Sequence, residues 1–509
     1  MKIERTKNTI RNVFFGSLDK AMNIVLPFFS RTVIIYVLGA KYLGLSSLFS
    51  SILSFLSLAE LGVGAAMVYS MYKPIAQNDT NAINALLNLY KRLYRKIGTI
   101  IFGIGLCLIP FLRIIVRESL PGNVNLYILY FIYLLNAALS YWVFAYKNAI
   151  LLAFQRGDIN SKISMIIVPV SYIAMLGSLF ITRNYYAYVV WLPVFTIATN
   201  FLRAYFVNKN FPDYRPDGEV PTEIKESINK KVKALIGTKL NTVVLHAADN
   251  IVMSAFLGLT VIAMYGNYYL IMSSIMGFSG IIYSSMTAGL GNSLATESKE
   301  KNYADFLKFS FMNSWLVGWC VVCLICLYQP FMKIWVGEDL MFPFSIVLQL
   351  GLYFYVYQIR KIPVVFKDAA GIWWEDRFRP YVCMVVNLIL NIFMVQVIGV
   401  SGIILSTVFS LFISIPWENH TIFRYIFDCS SVEYYKKMFY GLVSMTIAGL
   451  ITYKFCDLFG DGLYSFFMRG ICCAIVPNII FAGLNSRRIE FKQTIVFARN
   501  IANRRSRHK

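Results

Sequence analysis

Charged residues are scarce in this chain, and acidic ones are scarcer than basic ones. Only 15% of the 509 residues are Asp, Glu, Lys or Arg, whereas a soluble domain carries about 25%. That is too little charge to cover the surface of a soluble chain of this length, and the 40 Phe, 33 Tyr and 8 Trp exclude disorder. We therefore expect an integral membrane protein. The chain has 48 basic and 26 acidic residues. Membrane proteins concentrate Lys and Arg on one side of the membrane, so this basic excess does not have to be explained by binding to nucleic acid.

Signatures of catalysis and of cofactor binding are also lacking. With three His residues there is no His-Glu-x-x-His zinc motif. Gly237-Thr238-Lys239 resembles the end of a phosphate-binding loop, but Val232 stands where the first glycine is required. Cys320, Cys323 and Cys326 are three residues apart, yet on one helix their thiols do not converge, so we expect them to pack as small apolar residues. The sequence predicts no enzymatic activity, no cofactor and no metal site.

Fourteen mostly apolar stretches are long enough to cross a hydrocarbon core of about 30 Å as helices. The predicted fold class is therefore an all-α integral membrane protein with about 14 transmembrane helices. The predicted spans are 13–38, 43–70, 97–116, 124–146, 160–182, 185–207, 233–257, 261–291, 307–329, 342–366, 380–398, 401–424, 437–455 and 463–484.

The basic residues predict the orientation of these helices. If the N-terminus and every second loop are assigned to one side, that side holds 37 Lys and Arg, and the opposite side holds six. Cytoplasmic loops carry the basic excess, so both termini are predicted to be cytoplasmic. The first span is too long for the apolar core of a cleaved signal peptide.

A polar, proline-containing stretch after the sixth span divides the chain into two halves, as expected of a transporter built from related repeats. A faint repeat supports this division, with Gly39 matching Gly258 and Gly44 matching Gly266. An alternative explanation is that Leu-Gly simply ends helices. The predicted segments are an N-lobe at 1–207, a cytoplasmic linker at 208–232, a C-lobe at 233–425, helices 13 and 14 at 426–484, and a basic cytoplasmic tail at 485–509.

Ionisable side chains inside the spans are the strongest candidates for a functional site. A charge at mid-bilayer costs about 2.5–3.5 kcal/mol, so it normally faces water or a partner. Arg31 lies deep in the first span and Glu60 deep in the second. Lys239, His246 and Asp249 follow one another along the seventh. These groups are expected either to line a hydrated cavity or to pair with one another.

Spacing relates these charges to one another. Lys20 precedes Arg31 by eleven residues, about three helical turns, so both lie on one face of the first helix. Arg31 is expected either to contact an anionic substrate or to pair with Glu60 or Asp249. Glu60, Asp249 and His246 are candidates for an ion-coupling or gating group, with a purely structural role as the alternative.

Two further arginines, Arg203 and Arg469, lie nearer the ends of their spans. Long basic side chains at such positions commonly bury their stems and extend the charged group toward the membrane surface. We expect both arginines to do so.

Several sequence runs resemble a known family. They are ERTKNTIRNVFFG at 4–16, RTVIIYVLGAKYLGLSSLFSSIL at 31–53, LAELGVGAAMVYSMYKPIAQND at 58–79 and DNIVMSAFLGLTVIAMYGNYYLI at 249–271. Together with fourteen spans, they look like bacterial polysaccharide repeat-unit flippases, of the O-antigen or capsule type. Those flippases belong to the multidrug/oligosaccharidyl-lipid/polysaccharide exporter (MOP) superfamily.

This resemblance implies two six-helix lobes in a V around a central cavity, with helices 13 and 14 beside them. It implies alternating-access transfer of a polyprenyl-diphosphate-linked oligosaccharide from the inner to the outer leaflet of a bacterial cytoplasmic membrane. Arg31 matches the helix-1 cation that such proteins use for the diphosphate, with Lys239 and Lys20 as further basic groups. Asn267 and Tyr268 are placed to hydrogen-bond or stack on sugars. Membrane lipids and the polysaccharide polymerase machinery are the implied partners.

The residues alone leave two alternative functions open. A drug/cation antiporter of the same superfamily would rely on Asp249 and Glu60. A membrane polysaccharide polymerase or acyltransferase would usually carry a large outer loop with catalytic residues, whereas every predicted outer loop here is short.

Overall fold

The computed structural model describes residues 5–60, 62–122 and 124–506. These residues form twenty α-helices, and no β-strand occurs among them, which confirms the all-α class. Within the same ranges, ten helices are long and apolar enough to cross a membrane, or up to eleven if a bent pair counts as one span. The chain is therefore a multi-pass membrane protein, and the count of fourteen spans stays a prediction.

The chain divides into two compact units, Met1–Ala263 and Met264–Lys509. The helices of the first unit are α1 (Arg5–Val37), α2 (Ala40–Leu56), α3 (Val63–Gln77), α4 (Thr80–Leu108), α5 (Leu112–Ile115), α6 (Leu126–Trp142), α7 (Asn148–Ala153), α8 (Gly157–Thr182), α9 (Tyr185–Val189), α10 (Trp191–Asn210), α11 (Thr222–Phe256) and the first residues of α12 (Leu259–Thr296).

The second unit contains the remainder of α12. Its other helices are α13 (Lys299–Val336), α14 (Phe344–Ile359), α15 (Lys361–Ala370), α16 (Arg379–Ile398), α17 (Val400–Ile422), α18 (Val432–Asp457), α19 (Leu463–Asn485) and α20 (Ile489–Ser506). Between α17 and α18 the chain makes a π-helical turn at Phe423–Phe427. This turn contributes two buried rings to an aromatic core around Phe306, which packs edge-on against Phe366.

Local sequence explains where several helices begin and end. Asp79 caps α4 by accepting a hydrogen bond from the amide of Ala82 at 2.9 Å, and Asn184 caps α9 through the amide of Tyr186 at 2.8 Å. Gly39 and Gly258 have φ angles of +101° and +94°, a region that favours glycine, and each precedes the next helix. The two glycines matched in the proposed repeat thus both have a positive φ angle.

Three predicted spans coincide with helices that are interrupted or extended. The span at 43–70 covers α2 and α3, which are separated by a short 3₁₀ turn at Ser57–Glu60. The span at 342–366 covers α14 and α15. The span at 233–257 belongs to α11, which begins in the predicted linker at Thr222 and packs against α2 and α3 of the first unit. The lobe boundaries at 207 and 233 stay a prediction.

The predicted basic tail forms a helix, α20, that packs against α13. The ring of Phe491 stacks on Trp315, with centroids 5.7 Å apart and planes 5° from parallel. The carboxylate of Glu490 reaches Lys437 on α18 at 2.5 Å. The first part of the tail is therefore docked on the second unit, whereas the sequence analysis treats the whole segment as a basic tail.

Candidate functional site

Arg31 lies within α1 and is partly buried in the first unit. Its Nη2 donates to the backbone oxygen of Ala263 at 3.4 Å. The rings of Tyr172 on α8 and Tyr188 on α9 lie close enough to interact electrostatically with the guanidinium. Because α1 packs along α8, the arginine is held among aromatic hydroxyl groups inside an otherwise apolar helix bundle.

A chain of hydroxyl groups continues from this arginine through the unit. Ser30 and Tyr188 share a buried hydrogen bond of 2.8 Å. The ring of Tyr188 stacks on Tyr185, with centroids 5.8 Å apart. The Tyr185 hydroxyl lies 3.0 Å from that of Tyr133, which donates to Ser46 at 3.0 Å. The network places hydroxyl groups, which can both donate and accept hydrogen bonds, in the interior of the unit.

Glu60 occupies the 3₁₀ turn between α2 and α3. Its Oε1 accepts a hydrogen bond from Tyr94 at 2.6 Å, and its Oε2 accepts one from Tyr141 at 2.9 Å. Both oxygens thus accept hydrogen bonds, as an ionised carboxylate does. The structure gives Tyr94 and Tyr141 as the partners of Glu60, and its pairing with Arg31 stays a prediction.

Glu60 lines a polar cavity of about 470 Å³ that lies wholly within the first unit. Tyr94 and Tyr141 line the same cavity, and α10 contributes Asn200 and Arg203. Among the described residues the buried Nε of Arg203 has no hydrogen-bond partner, although its Nη1 lies 3.4 Å from Asn200 Oδ1. Arg203 therefore lines the cavity, and its extension toward the membrane surface stays a prediction. A carboxylate and a guanidinium border one cavity of a size that holds small ligands.

The other predicted site residues of the first unit occupy different surroundings. Asp249 on α11 is 4% exposed, and its neighbour Asn250 donates to Ser51 on α2 at 2.9 Å. Lys20 lies on α1 and is partly buried. The adjacent Asp19 accepts a hydrogen bond of 2.5 Å from Ser164 on α8. The side chains of Lys239 and His246 lie outside the described residues.

Asn267 and Tyr268, predicted to contact sugars, belong to the second unit and are fully buried. The hydroxyl of Tyr268 donates to Gln329 at 3.0 Å and accepts from the amide of Phe342 at 3.2 Å. In this conformation Tyr268 presents no surface to a ligand.

The tyrosines are the part of the site that the sequence analysis missed. With 33 Tyr in the chain, aromatic residues in apolar spans are more simply read as packing or lipid-facing groups. The pair Tyr185 and Tyr188, three residues apart, does indicate one helical face with two hydroxyls. The partners of Glu60 come from α4 and α6, and no local pattern around Glu60 points to them.

Comparison with known proteins identifies solved structures with a similar fold but no matching sequence family. No family model matches the chain, and no curated protein sequence matches it. The chain is similar to a solved structure of the lipid II flippase MurJ in an inward closed conformation, at 15% identity over 93% of this chain and 99% of that one, with a TM-score of 0.63.

Two further structures extend the likeness. An inward-facing multidrug-resistance MATE transporter of the MOP superfamily is 16% identical over 78% of this chain and 94% of that one, with a TM-score of 0.59. A MOP-superfamily transporter from Pyrococcus furiosus, described as having a binding pocket of reverse polarity, is 15% identical over 82% of this chain and 95% of that one, with a TM-score of 0.53. The chain therefore has the fold that MOP-superfamily transporters share.

Proposed function

We propose that this protein is a flippase that moves a polyprenyl-diphosphate-linked oligosaccharide across the bacterial cytoplasmic membrane by alternating access. The observation that carries the proposal is the position of Arg31, a partly buried arginine among tyrosines in the interior of an apolar unit. A diphosphate and its sugars cannot cross hydrocarbon without hydrogen-bonding partners. The planar donors of arginine match phosphate oxygens, and the nearby hydroxyls match sugars. The fold shared with a lipid II flippase is consistent with a lipid-linked substrate.

The cavity around Glu60 favours a second candidate, a drug/cation antiporter. An acidic group in a polar cavity of about 470 Å³ suits a cation, and the fold is also that of a multidrug-resistance transporter. In a flippase the same carboxylate would instead serve as the ion-coupling group, with Asp249 as a second acidic candidate. The two functions differ in which residue contacts the cargo: Arg31 for an anionic lipid, and Glu60 for a cationic drug.

Reconstitution of the purified protein into vesicles distinguishes them. A fluorescent polyprenyl-diphosphate-linked oligosaccharide is placed in one leaflet, and its transfer is followed by quenching from outside. We expect wild-type protein to accelerate transfer and Arg31→Ala to slow it at least about tenfold, because a charge-assisted hydrogen bond is worth about 1.5–3 kcal/mol. Arg31→Lys should retain part of the rate, since it keeps the charge without the planar donors.

Arg183 provides the matched control, because it is an exposed arginine in the turn between α8 and α9. Arg183→Ala should transfer the lipid at the wild-type rate. Normal lipid transfer by Arg31→Ala would remove the arginine from the mechanism. Uptake of a cationic dye that depends on Glu60, without any lipid transfer, would establish the antiporter instead.

A further inference from the structure

Three buried thiols meet in the second unit, far from the proposed transport site in sequence. The Sγ atoms of Cys326, Cys456 and Cys473 all lie within 4.8 Å of one another. Their side chains are between 1% and 3% exposed. The three cysteines come from three different helices, α13, α18 and α19. Thiols that converge from separate helices can surround one metal ion. Three cysteines spaced three residues apart on a single helix cannot do so.

A fourth thiol lies beside this group. Cys323 precedes Cys326 by about one helical turn on α13, and its Sγ is 3.8 Å from the backbone oxygen of Cys473. Its thiol also interacts with that of Cys473. Of the C-x2-C-x2-C run, only Cys326 belongs to the group of mutually close thiols within the described residues, and Cys320 and Cys323 stand outside it.

The distances suit a metal ion better than a covalent bond. The Sγ atoms of Cys456 and Cys473 are 3.8 Å apart. A disulfide needs about 2.05 Å between sulfurs. Tetrahedral thiolate coordination of Zn²⁺, with a metal–sulfur bond of about 2.3 Å, separates the sulfurs by about 3.8 Å. Soft ions such as Cu⁺ also prefer thiolate ligands. The thiols are thus spaced for coordination with little movement.

A positive charge next to the thiols offsets the negative charge that coordination would create. Three thiolates around Zn²⁺ carry a net charge of about −1, which is costly to bury. The guanidinium of Arg469 lies close enough to act electrostatically on Cys456, and its Nη2 donates to the backbone oxygen of Phe459 at 2.6 Å. Its Nε is buried and has no hydrogen-bond partner in the structure. Arg469 is therefore a second indication of an anionic group at this place.

We propose that Cys326, Cys456 and Cys473 form a binding site for a thiophilic metal ion with a filled d shell, such as Zn²⁺ or Cu⁺, with the thiol of Cys323 beside it. The ion would join α18 and α19 to α13. This metal-mediated cross-link between helices would have a structural role, and the proposal does not depend on the proposed lipid transport. It also replaces the expectation from the sequence that these cysteines only fill space.

Metal binding is tested on the full chain purified in detergent with a reductant. Exposed Cys107 and Cys429 are first replaced by Ser in every sample to remove surface thiols. The protein is stripped with a membrane-permeant chelator, loaded with Zn²⁺ or with Cu⁺ in separate arms, desalted and analysed for bound metal. We expect about one ion per chain, a thiolate-to-metal charge-transfer band with Cu⁺, and a higher unfolding temperature in the loaded state.

Cys383 supplies the matched control, because it is buried in the same unit on α16 but stands outside the group. Cys383→Ser should bind metal as the parent does, whereas Cys456→Ser and Cys473→Ser should lose retention. If those variants fold poorly, the parent protein still gives an answer: loaded metal should protect Cys326 and Cys456 from a permeant alkylating reagent. Equal retention by all variants, alkylation unaffected by metal, or a disulfide joining Cys456 to Cys473 in reduced preparations would each overturn the proposal.

Discussion

Tyrosine hydroxyl groups lie beside the two charged residues that define the site in the first unit. Arg31 lies beside Tyr172 and Tyr188, and Glu60 accepts hydrogen bonds from Tyr94 and Tyr141. A hydroxyl lowers the cost of burying a charge without neutralising it. The tyrosines thus help to hold both charged groups inside an apolar unit while leaving their charge unchanged.

The tyrosines that hold Glu60 provide a test at the scale of single residues. Tyr94→Phe and Tyr141→Phe each remove one hydrogen bond to a carboxylate, so we expect each to lower stability by about 1.5–3 kcal/mol. Thermal unfolding of the detergent-solubilised protein measures the change. Tyr127→Phe is the control, because this tyrosine lies on α6 like Tyr141 but is 40% exposed. Equal destabilisation by all three variants would mean that the hydroxyl bonds to Glu60 carry no special weight.

Sequence reasoning found the charged members of the site but not their surroundings. Arg31, Glu60 and Asp249 stand out because charged residues are rare in apolar spans. Their partners come from helices distant in sequence, as Tyr141 does for Glu60. Arg203 shows the same limit, since its position near a helix end predicts only an extension toward the membrane surface and does not reveal that the side chain lines the cavity. Which side of a helix faces a cavity depends on packing.

At the scale of elements, ion pairs hold helices of the second unit together. Glu418 on α17 accepts from Arg360 Nε at 3.0 Å and lies 3.0 Å from Arg379 Nη1 on α16. Asp376 in turn pairs with Arg379 at 2.8 Å and with Lys367 on α15 at 2.5 Å. All but Arg360 are nearly inaccessible. The network was not foreseen, because the basic members were counted only as cytoplasmic loop charges.

Docking of α20 should depend on pH through Glu490. Burial alone would raise the pKa of Glu490, but its hydrogen bond to Lys437 and the charges of Lys437 and Arg488 outweigh burial and hold the pKa below 4.5. A carboxyl with a lowered folded-state pKa stabilises the folded form above its unfolded pKa, and this contribution is lost as the pH falls through the folded value. The contribution is thus complete at pH 7.

Hydrogen exchange of the α20 amides, corrected for the intrinsic effect of pH, checks this prediction. Glu490→Gln should lower protection of α20 at neutral pH, and wild-type protein should show the same loss only on acidification below the unfolded carboxyl pKa of about 4.5. Glu297→Gln, which breaks an exposed pair with Lys301, should leave α20 unchanged. Protection that is identical in Glu490→Gln and wild type at pH 7 would show that Phe491 on Trp315 suffices to dock the helix.

For the whole molecule, composition and loop charges were enough to predict a multi-pass all-α protein, because bilayer thickness sets helix length. They did not predict which helices associate. The helix α11, assigned from sequence to the C-lobe, contacts α2 and α3 of the first unit. A close backbone approach follows directly after α11: a Cβ on Gly44 would lie 2.1 Å from the oxygen of Leu259, so only glycine allows α2 to pack so closely on the start of α12.

The contact between α2 and α11 gives the last prediction. If the segments 1–207 and 233–425 move as separate lobes during transport, as the sequence predicts, then α2 must separate from α11 in each cycle. Ser51 on α2 and Asn250 on α11 are hydrogen-bonded at 2.9 Å, so cysteines at both positions can be joined by a short bifunctional methanethiosulfonate. We expect Ser51→Cys/Asn250→Cys, with Cys107 and Cys429 replaced by Ser, to stop transferring lipid when linked and to recover on reduction.

A second linked pair separates this effect from general damage. Asn136 on α6 and Thr196 on α10 are hydrogen-bonded at 2.7 Å, and both lie within the predicted N-lobe. Linking Asn136→Cys to Thr196→Cys should leave lipid transfer intact, because helices that move as one body tolerate a bridge between them. If the bridge between α2 and α11 also left transfer intact, these helices would belong to one moving body. The boundary between the lobes would then lie after α11, near the division between Ala263 and Met264.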